Sequence, residues 1–251
     1  MLRPRLIPCL LVENGGLTKT VQFKPGKYIG DPLNAVRIFN EKKVDELIVL
    51  DISATMEGRE PDYKMVEALA AECRMPLCYG GGVTHEKQVS RLIALGVEKV
   101  ALSSAAVADP ELVARAAQVV GGQSVAVVLD VKKKRFLRKY EVFTHRGTKA
   151  TGLEAAQFAR QMEDQGAGEI IVNAIDHDGM MSGYDIDMIA HIKDAVTCPM
   201  TVVGGAGSLN DIKALFDRFG LIGAAAGSMF VFKGKYRAVL INYTKLSEWP
   251  S

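Results

Sequence analysis

Short runs of apolar and often β-branched residues recur along the chain, each bounded by glycine, proline or aspartate. Runs of this length and composition are typical of strands that are buried on both faces of a parallel sheet. Eight such runs predict eight strands, at residues 6–11, 47–50, 76–79, 97–102, 124–129, 169–173, 200–203 and 221–225.

Between these runs, apolar residues return at helical spacing, for example in residues 63–73, 86–95 and 153–165. Helices are also predicted to start at Pro110 and Leu209, with Asp109 and Ser208 as their N-caps. Alternating strands and helices predict a parallel sheet covered by helices. At 251 residues we expect one α/β domain over 1–251, a closed (β/α)8 TIM barrel. An open doubly wound sheet is the alternative.

An internal repeat favours the barrel. Residues 45–49 match residues 168–172 at an offset of 123, and the same offset places the pair 81–82 on the pair 204–205. Two half-barrels, at about 1–122 and 123–251, are therefore predicted. Aligning the apolar ends of the first strand in each half pairs Leu11 with Asp130, at an offset of 119.

One segment interrupts the alternation of strands and helices. Residues 132–147 are predicted to form a hairpin inserted in the fifth βα loop, and six lysines and arginines fall between positions 132 and 139. We interpret this charge as a solvated surface, with steering of an anionic ligand as the alternative.

Composition narrows the possible functions. The formal charge of +2 gives no reason to expect nucleic acid or an anionic membrane as a partner, and 48% apolar residues exclude a disordered chain. The four cysteines form no C-x-x-C pair, so we expect reduced thiols and neither a metal nor another cofactor. No apolar stretch reaches the roughly 18 residues that span a bilayer, and the N-terminus is a poor signal peptide, so a cytoplasmic location is expected.

Two glycine clusters occupy equivalent places in the predicted halves, at residues 80–82 and 204–207. Glycine lets backbone N–H groups approach a phosphate closely. The hydroxyls of Ser103, Ser104 and Ser228, the last beside Gly227, follow the fourth and eighth strands and can extend the two sites. A ligand with a phosphate at each end is therefore predicted to span the barrel mouth, with tight βα turns as the alternative role of the glycines.

Carboxylates at strand C-terminal ends are candidates for acid–base chemistry, because these ends converge at the catalytic face of a barrel. Asp130 is the strongest candidate. Asp51 and Asp176 are further candidates, with loop capping as the alternative. His177 is predicted to face solvent, and Lys19 is a candidate phosphate ligand reaching over the mouth from the first loop.

A second group of charged residues lies at the opposite strand ends. Arg5, Glu46, Lys99 and Glu169 start predicted strands, so we expect them to meet at the bottom face. Two cations would neutralise two carboxylates in a closed ring, an arrangement that contributes to stability at this face.

Spaced motifs over essentially the whole chain resemble the cyclase subunit of imidazole glycerol phosphate synthase. The resemblance implies a (β/α)8 barrel that receives ammonia from a glutaminase subunit docked on its N-terminal face and passes it to a bisphosphate ribonucleotide at the top. The motifs are residues 7–10, 30–32, 45–47, 50–52, 80–82, 99–100, 166–170, 176–179, 182–185 and 204–207.

By this resemblance, Arg5, Glu46, Lys99 and Glu169 form the gate of the ammonia passage, and Lys19 belongs to a mobile loop over the substrate. The resemblance and the glycine pattern together assign phosphate and substrate binding to Lys19, Gly81, Gly82, Ser103, Ser104, Asp176, Gly179, Gly204, Gly205, Gly227 and Ser228.

The chain differs from the family in residues expected at or near the catalytic site. The two catalytic carboxylates of the family fall at positions 11 and 130, and position 11 is Leu11, which cannot transfer a proton. Val203 replaces an expected small polar residue, and Tyr79 is bulky for its place beside Gly80. We interpret these changes as a reshaped pocket above an intact bottom ring.

This combination is similar to cyclase-like paralogues found beside a glutaminase and a sugar amidotransferase in clusters for surface polysaccharide (O-antigen) synthesis, where ammonia forms an acetamidino group. The leading hypothesis is an ammonia-conducting subunit with weak or no cyclase activity. The first alternative is a working cyclase that uses Asp130, with Asp51 or Asp176 standing in for residue 11. The related sugar isomerase of histidine biosynthesis fits the repeat but not residues 8–10 or the four-residue ring.

Overall fold

A computed structural model of the protein describes residues 3–134 and 139–245. The strands are β1 (Arg5–Glu13), β2 (Gly16–Lys19), β3 (Lys27–Gly30), β4 (Leu47–Asp51), β5 (Leu77–Gly80), β6 (Lys99–Leu102), β7 (Val125–Lys134), β8 (Lys139–Thr144), β9 (Lys149–Glu154), β10 (Glu169–Ala174), β11 (Met200–Val203), β12 (Gly223–Ala226), β13 (Phe232–Lys233) and β14 (Ala238–Val239).

The helices alternate with the main strands and cover the sheet. They are α1 (Pro32–Lys42), α2 (Tyr63–Glu72), α3 (Glu86–Ala94), α4 (Ser104–Ala108), α5 (Glu111–Val120), α6 (Ala155–Asp164), α7 (Ile186–Lys193), α8 (Leu209–Phe219) and α9 (Ser228–Val231), with short 3-10 turns at Gly122–Ser124 and Ile175–His177.

Eight parallel strands close into a barrel in the order β1, β4, β5, β6, β7, β10, β11, β12 and back to β1. Closure excludes the open doubly wound sheet, because β10 pairs with both β7 and β11 and β12 pairs with β1. The predicted (β/α)8 fold is confirmed. Its division into two half-barrels stays a prediction.

Alternation along each strand separates two apolar clusters. On β1, Leu6 and Leu10 face the helices and belong to the larger cluster between sheet and helices, whereas Ile7 and Cys9 face the barrel interior. Burying a large aliphatic side chain in either layer contributes about 1.5–3 kcal/mol, so the two clusters together hold the barrel closed.

The helix-start predictions had different outcomes. Ser208 caps α8 in a reciprocal capping box with Asp211. The N-cap prediction for Asp109 is wrong by one residue, because α5 begins at Glu111 with Pro110 in the cap position. The Asp109 carboxylate still accepts from the backbone N–H groups of Glu111 and Leu112, and it also accepts from Arg115 Nη2 at 2.6 Å, a contact that local spacing does not show.

Two extensions rise above the C-terminal ends of the barrel strands. The predicted hairpin in the fifth loop exists as the antiparallel pair β7 and β8, and an unpredicted third strand, β9, completes a ribbon. Residues 135–138 of the basic run lie outside the described residues. Strands β2 and β3 in the first loop were also not predicted, because four-residue strands leave little periodicity.

The cysteines are free in the structure, at Cys9, Cys73, Cys78 and Cys198. Within residues 3–134 and 139–245, no helix combines the length and apolar character needed to cross a membrane.

A substitution at Gly205 can test how closely the βα loops pack. The φ of Gly205 is +115°, and a Cβ there would lie 2.1 Å from the Gly183 carbonyl oxygen. We expect Gly205→Ala to cost about 3 kcal/mol or more of unfolding free energy in urea titrations. Gly58→Ala is the matched control, because Gly58 has φ +63° and open space around it, and we expect about 1–2 kcal/mol there. Equal losses at both positions would contradict this account of the loop contact.

Candidate active site and barrel interior

A cavity of about 140 Å³ opens at the C-terminal ends of the strands. Each of the eight barrel strands, or the residue that directly follows it, contributes to its wall, so the cavity is the mouth of the barrel. These contributions are Leu11, Asp51, Gly81, Ser103, Asp130, Asn173, Gly204 and Gly227.

Asp130 is placed where an acid–base group can act. Its side chain lines the cavity, and Asn173 Nδ2 donates to its Oδ1 at 3.1 Å. Burial raises the pKa of Asp130 to about 7, the hydrogen bond from Asn173 opposes this shift, and the charge of Asp178 adds to it. A carboxyl with this pKa can both hold and release a proton at neutral pH.

Three apolar side chains share the mouth with Asp130. Leu11 pairs in register with Leu50 of β4, and both side chains line the cavity together with Val203. Tyr79 was wrongly placed near the mouth: it points away from the barrel interior into the apolar cluster between sheet and helices. Since successive residues of a strand face opposite sides, Tyr79 and its interior neighbour Cys78 cannot share a layer.

The glycine clusters bring neighbouring loops into close contact. A Cβ at Gly81 (φ +125°) would meet the Asp51 carbonyl oxygen at 2.4 Å, and one at Gly204 (φ +92°) would meet that of Ala174 at 2.8 Å. Tight turns are therefore a sufficient reason for glycine at these positions. Gly81, Gly82, Gly204 and Gly205 also line the cavity, so both roles remain compatible with the geometry.

Hydroxyl groups stand beside both glycine clusters. Ser103 and Ser104 line the cavity at the start of α4, and Gly227 and Ser228 line it at the start of α9. The backbone N–H of His145 points to Ser104 Oγ at 3.5 Å, which places the tip of the β8–β9 ribbon over this side of the mouth. Phosphate binding by these residues stays a prediction.

Lys19 lines the cavity at the mouth, and its role in phosphate binding stays a prediction. It is the last residue of β2, its side chain is buried, and its Nζ donates to the Cys9 carbonyl oxygen at 2.6 Å beside Gly227. Burial lowers the pKa of Lys19. An ammonium group has three donors, so donors besides the one directed at Cys9 are available to an anion at Gly227 and Ser228.

The two carboxylates considered as substitutes for residue 11 are engaged in loop structure. Asp51 Oδ1 accepts from Ser53 N, Ser53 Oγ and Ala54 N at 2.9–3.0 Å, as the loop-capping alternative predicted. Asp176 Oδ2 accepts from the backbone N–H of Lys133 at 3.3 Å.

In the loop after β10, the cavity is lined by Asp178 and Gly179 rather than by Asp176. Asp178 accepts from Thr20 Oγ1 at 2.6 Å, so this loop is joined to the first one. His177 is half-buried, with Nδ1 3.0 Å from the Gly183 carbonyl oxygen.

Three residues at the mouth were not found from the sequence. Asn173 was assigned only to a strand end, although alternation along β10 predicts that it faces inward. His145 and Arg146 have positive φ angles of 52° and 57°, and both line the cavity. Arg146 Nη1 forms an ion pair with Glu13 Oε1 at 2.6 Å, which ties the ribbon to the end of β1.

The four charged residues at the opposite end form a closed ring. Arg5 Nη1 lies 2.5 Å from Glu46 Oε2, and its Nη2 lies 2.6 Å from Glu169 Oε1. Lys99 Nζ closes the ring, 2.8 Å from Glu46 Oε1 and 2.7 Å from Glu169 Oε2. Thr201, which was not predicted, donates from Oγ1 to Glu169 Oε1 at 2.6 Å.

Mutual compensation keeps Glu169, Arg5 and Lys99 ionised. Burial acts to raise the pKa of Glu169, but Lys99 and Arg5 outweigh it, so the pKa is lowered. Burial acts to lower the pKa of Arg5 and of Lys99, but Glu169 and Glu46 outweigh it, so both are raised. The ring therefore closes the bottom of the barrel with fixed charges.

The interior between ring and mouth is neutral. Its buried side chains are Ile7, Cys9, Ile48, Cys78, Ala101, Ala126, Val128, Ile171, Val203 and Ala225, with Leu11 and Leu50 packed against them at the top. Burial raises the pKa of the Cys9 thiol to about 11 and that of Cys78 well above its ordinary value, so both thiols stay protonated. A neutral, apolar interior admits ammonia more readily than ammonium, because an ion there would lose its hydration.

Comparison with known proteins decides the family. A family model described as histidine biosynthesis protein matches residues 5–237. The chain is 55% identical over 248 residues to a Vibrio vulnificus protein provisionally named imidazole glycerol phosphate synthase subunit hisF3, covering 99% of this chain and 95% of the relative. The chain belongs to the HisF-type cyclase subunits of imidazole glycerol phosphate synthase.

Two other HisF relatives also cover most of the chain. A Pseudomonas aeruginosa protein provisionally named subunit hisF2 is 46% identical over 248 residues, covering 99% of this chain and 98% of the relative. The imidazole glycerol phosphate synthase subunit HisF of Limosilactobacillus fermentum is 40% identical over 233 residues, covering 93% and 89%.

The raised pKa of Asp130 in this HisF-type barrel predicts a pH-dependent stability difference. The folded protein holds this proton more tightly than the unfolded chain, so ionisation of Asp130 destabilises the fold as pH rises from about 4 to about 7. Over that range we expect the unfolding free energy of Asp130→Asn to rise by about 1–2 kcal/mol relative to wild type. This value includes a reduction because solvent at the mouth screens the charge. Urea titrations at pH 4 and pH 8 measure it.

The control for this prediction is the exposed Asp187, at the start of α7. Because a negative charge in the first turn of a helix is favourable, Asp187→Asn should not gain stability relative to wild type as the pH rises. A stability difference between wild type and Asp130→Asn that does not vary with pH would show that Asp130 titrates normally.

The ring predicts a large cost for removing one charge. Glu169→Gln leaves Arg5 and Lys99 with a single buried carboxylate, and we expect a loss of about 3 kcal/mol of unfolding free energy at pH 7. Because the pKa of Glu169 is lowered in the folded state, the loss should shrink as pH falls below about 4.5. Glu98→Gln, an exposed change in the loop before β6, is the control and should have little effect. A loss below 1 kcal/mol at pH 7 would argue against a compensated ring.

Proposed function

We propose that this barrel conducts ammonia from a glutaminase docked on its N-terminal face to a separate sugar amidotransferase, which forms an acetamidino group on a precursor of a surface polysaccharide. The barrel works in this assembly with weak or no cyclase activity. The observation that carries the proposal is the combination of a complete charge ring, a neutral interior and a leucine at position 11.

The bottom ring and the interior support conduction. The carboxylates of Glu46 and Glu169 are buried and fully paired, so a passing molecule meets fixed charges only at the entrance. Beyond the entrance, Cys78 and Cys9 are neutral thiols among aliphatic side chains. Such a passage keeps ammonia unprotonated, which is its nucleophilic form.

The mouth supports the loss of cyclase chemistry. Cyclisation in the family uses two carboxylates, and here Leu11, Leu50 and Val203 line the cavity with Asp130. The two candidate substitutes are poorly placed, because Asp51 caps its own loop and Asp176 bonds to the β7 backbone. Leu11 also extends the apolar interior up to the mouth.

The relatives support a role outside histidine biosynthesis. Two of them bear the numbered names hisF2 and hisF3, which suggest that those organisms carry more than one such subunit. An additional copy is free to keep the barrel and its glutaminase contact while serving another acceptor of ammonia.

The second candidate function is an active cyclase forming imidazole glycerol phosphate. One observation favours it: Asp130, with a pKa of about 7 and a hydrogen bond from Asn173, retains the environment of an acid–base catalyst. Glycine and serine side by side at both ends of the mouth are also compatible with a bisphosphate ligand.

The proposal predicts that product formation from glutamine depends on the ring. With glutaminase and amidotransferase present, Lys99→Leu should lower acetamidino product per glutamine hydrolysed by about tenfold, because an incomplete ring lets ammonia escape. Product formation from added ammonium salt should not change. Lys87→Leu, an exposed change on α3, is the control and should behave as wild type.

Two results would count against conduction. Glutamine-driven product that forms equally well without this chain would exclude the role entirely. Unchanged coupling in Lys99→Leu, and likewise in Arg5→Leu and Glu169→Leu, would show that the ring does not control the passage.

A further inference from the structure

Three exposed apolar side chains lie on neighbouring loops beside the mouth. Val21 is 36% exposed, Met180 47% and Tyr236 90%. The loops that carry them are in contact: the backbone of Gly179 packs against Val21, and Arg237 Nη2 donates to the Gly179 carbonyl oxygen at 2.8 Å. The first loop, the loop after β10 and the β13–β14 hairpin therefore form one surface.

Lysines surround this surface. The β7 end of the ribbon is joined to the loop after β10 by the hydrogen bond from Lys133 N to Asp176 Oδ2 at 3.3 Å. The β13–β14 hairpin is joined to the same loop by the hydrogen bond from Arg237. Together with Val21, Met180 and Tyr236, the exposed lysines define what we name the mouth-face patch: Lys24, Lys132, Lys133, Lys233 and Lys235.

The carboxylates on this side offset part of that charge, because Asp185 and Asp187 attract the Lys133 ammonium group. Asp176 accepts from a backbone N–H, and Asp178 accepts from Thr20 and from the backbone of Phe23, so both are engaged in the loops. The patch therefore presents five exposed lysines around an apolar centre.

A small anionic substrate explains only part of this surface. Steering of an anion uses lysines, but it gains nothing from an exposed methionine and a tyrosine that is almost fully exposed. Aromatic and methionine side chains are enriched in protein interfaces, and contiguous exposed apolar side chains mark binding surfaces. The complementary surface is therefore apolar at its centre and acidic at its rim.

We propose that the mouth-face patch docks the protein that accepts the ammonia, through an apolar contact surface with acidic residues around it. This inference rests on the proposed function, in which ammonia leaves at the mouth. Ammonia released into water is protonated and diluted, so transfer between two proteins requires a closed contact at the exit. The patch lies directly beside the cavity, as Phe23 and Gly179 line the cavity wall next to it.

The test measures binding of the purified sugar amidotransferase to the full chain in its glutaminase complex, by isothermal titration calorimetry. Met180→Glu and Tyr236→Glu place a carboxylate in the apolar centre, and Lys133→Glu reverses a flanking charge. We expect each to weaken binding by about tenfold or more, because burial of an unpaired charge or loss of complementarity is costly at an interface. Val119→Glu is the matched control, an apolar residue 54% exposed on α5, and should bind as wild type.

Activity measurements separate this inference from the proposed function. If both hold, the Met180 and Tyr236 variants lose glutamine-driven product but keep glutamine hydrolysis and ammonium-driven product. If the variants bind and transfer as wild type while the chain is still required, the patch proposal is wrong and the conduit stands. If product never requires the chain, both are wrong.

A last experiment measures binding of the chain to phosphatidylglycerol vesicles. Cosedimentation with these vesicles that is lost in Lys133→Glu and Tyr236→Glu, with unchanged amidotransferase binding, would overturn the docking of a protein and assign the patch to a membrane surface.

Discussion

The rest of the structure depends on a compensated layer of charge inside the barrel. Arg5, Lys99, Glu46 and Glu169 are largely removed from water, which is tolerable only because each cation contacts both carboxylates. The four residues stand at or directly before the starts of β1, β4, β6 and β10, so the ring joins four strands of the barrel. Above it the interior is neutral, so the barrel has a charged layer at its bottom and an apolar core below its mouth.

Much of this arrangement could be predicted from the sequence. Strand periodicity predicted the closed barrel, and the position of Glu46 and Glu169 at strand starts predicted that they would meet in one layer. Thr201 was missed, because a threonine inside a strand is equally typical of ordinary sheet. At the mouth, the strand-end position of Asp130 predicted its place on the cavity wall, and the loss of a carboxylate at position 11 was readable directly.

The positions of several side chains were not predicted, either inside a strand or where loops meet. Lys19 lines the mouth, but the buried hydrogen bond from its Nζ to the Cys9 carbonyl oxygen was not predicted. Tyr79 was assigned to the wrong side of its strand, an error that the alternation of side chains could have prevented. His145 and Arg146 reach the mouth only because the ribbon bends back over it at residues with positive φ. Such placements depend on tertiary structure rather than on local spacing.

The central claim is that the passage has been kept while the chemistry at its exit has been lost. It is tested most directly by turnover of the bisphosphate ribonucleotide of the family by the purified chain with excess ammonium salt, beside Leu11→Asp and Asp130→Asn. The account predicts little or no turnover in wild type and a gain in Leu11→Asp, which restores the second carboxylate opposite Asp130. Wild-type turnover that Asp130→Asn abolishes would contradict it and would identify a working cyclase.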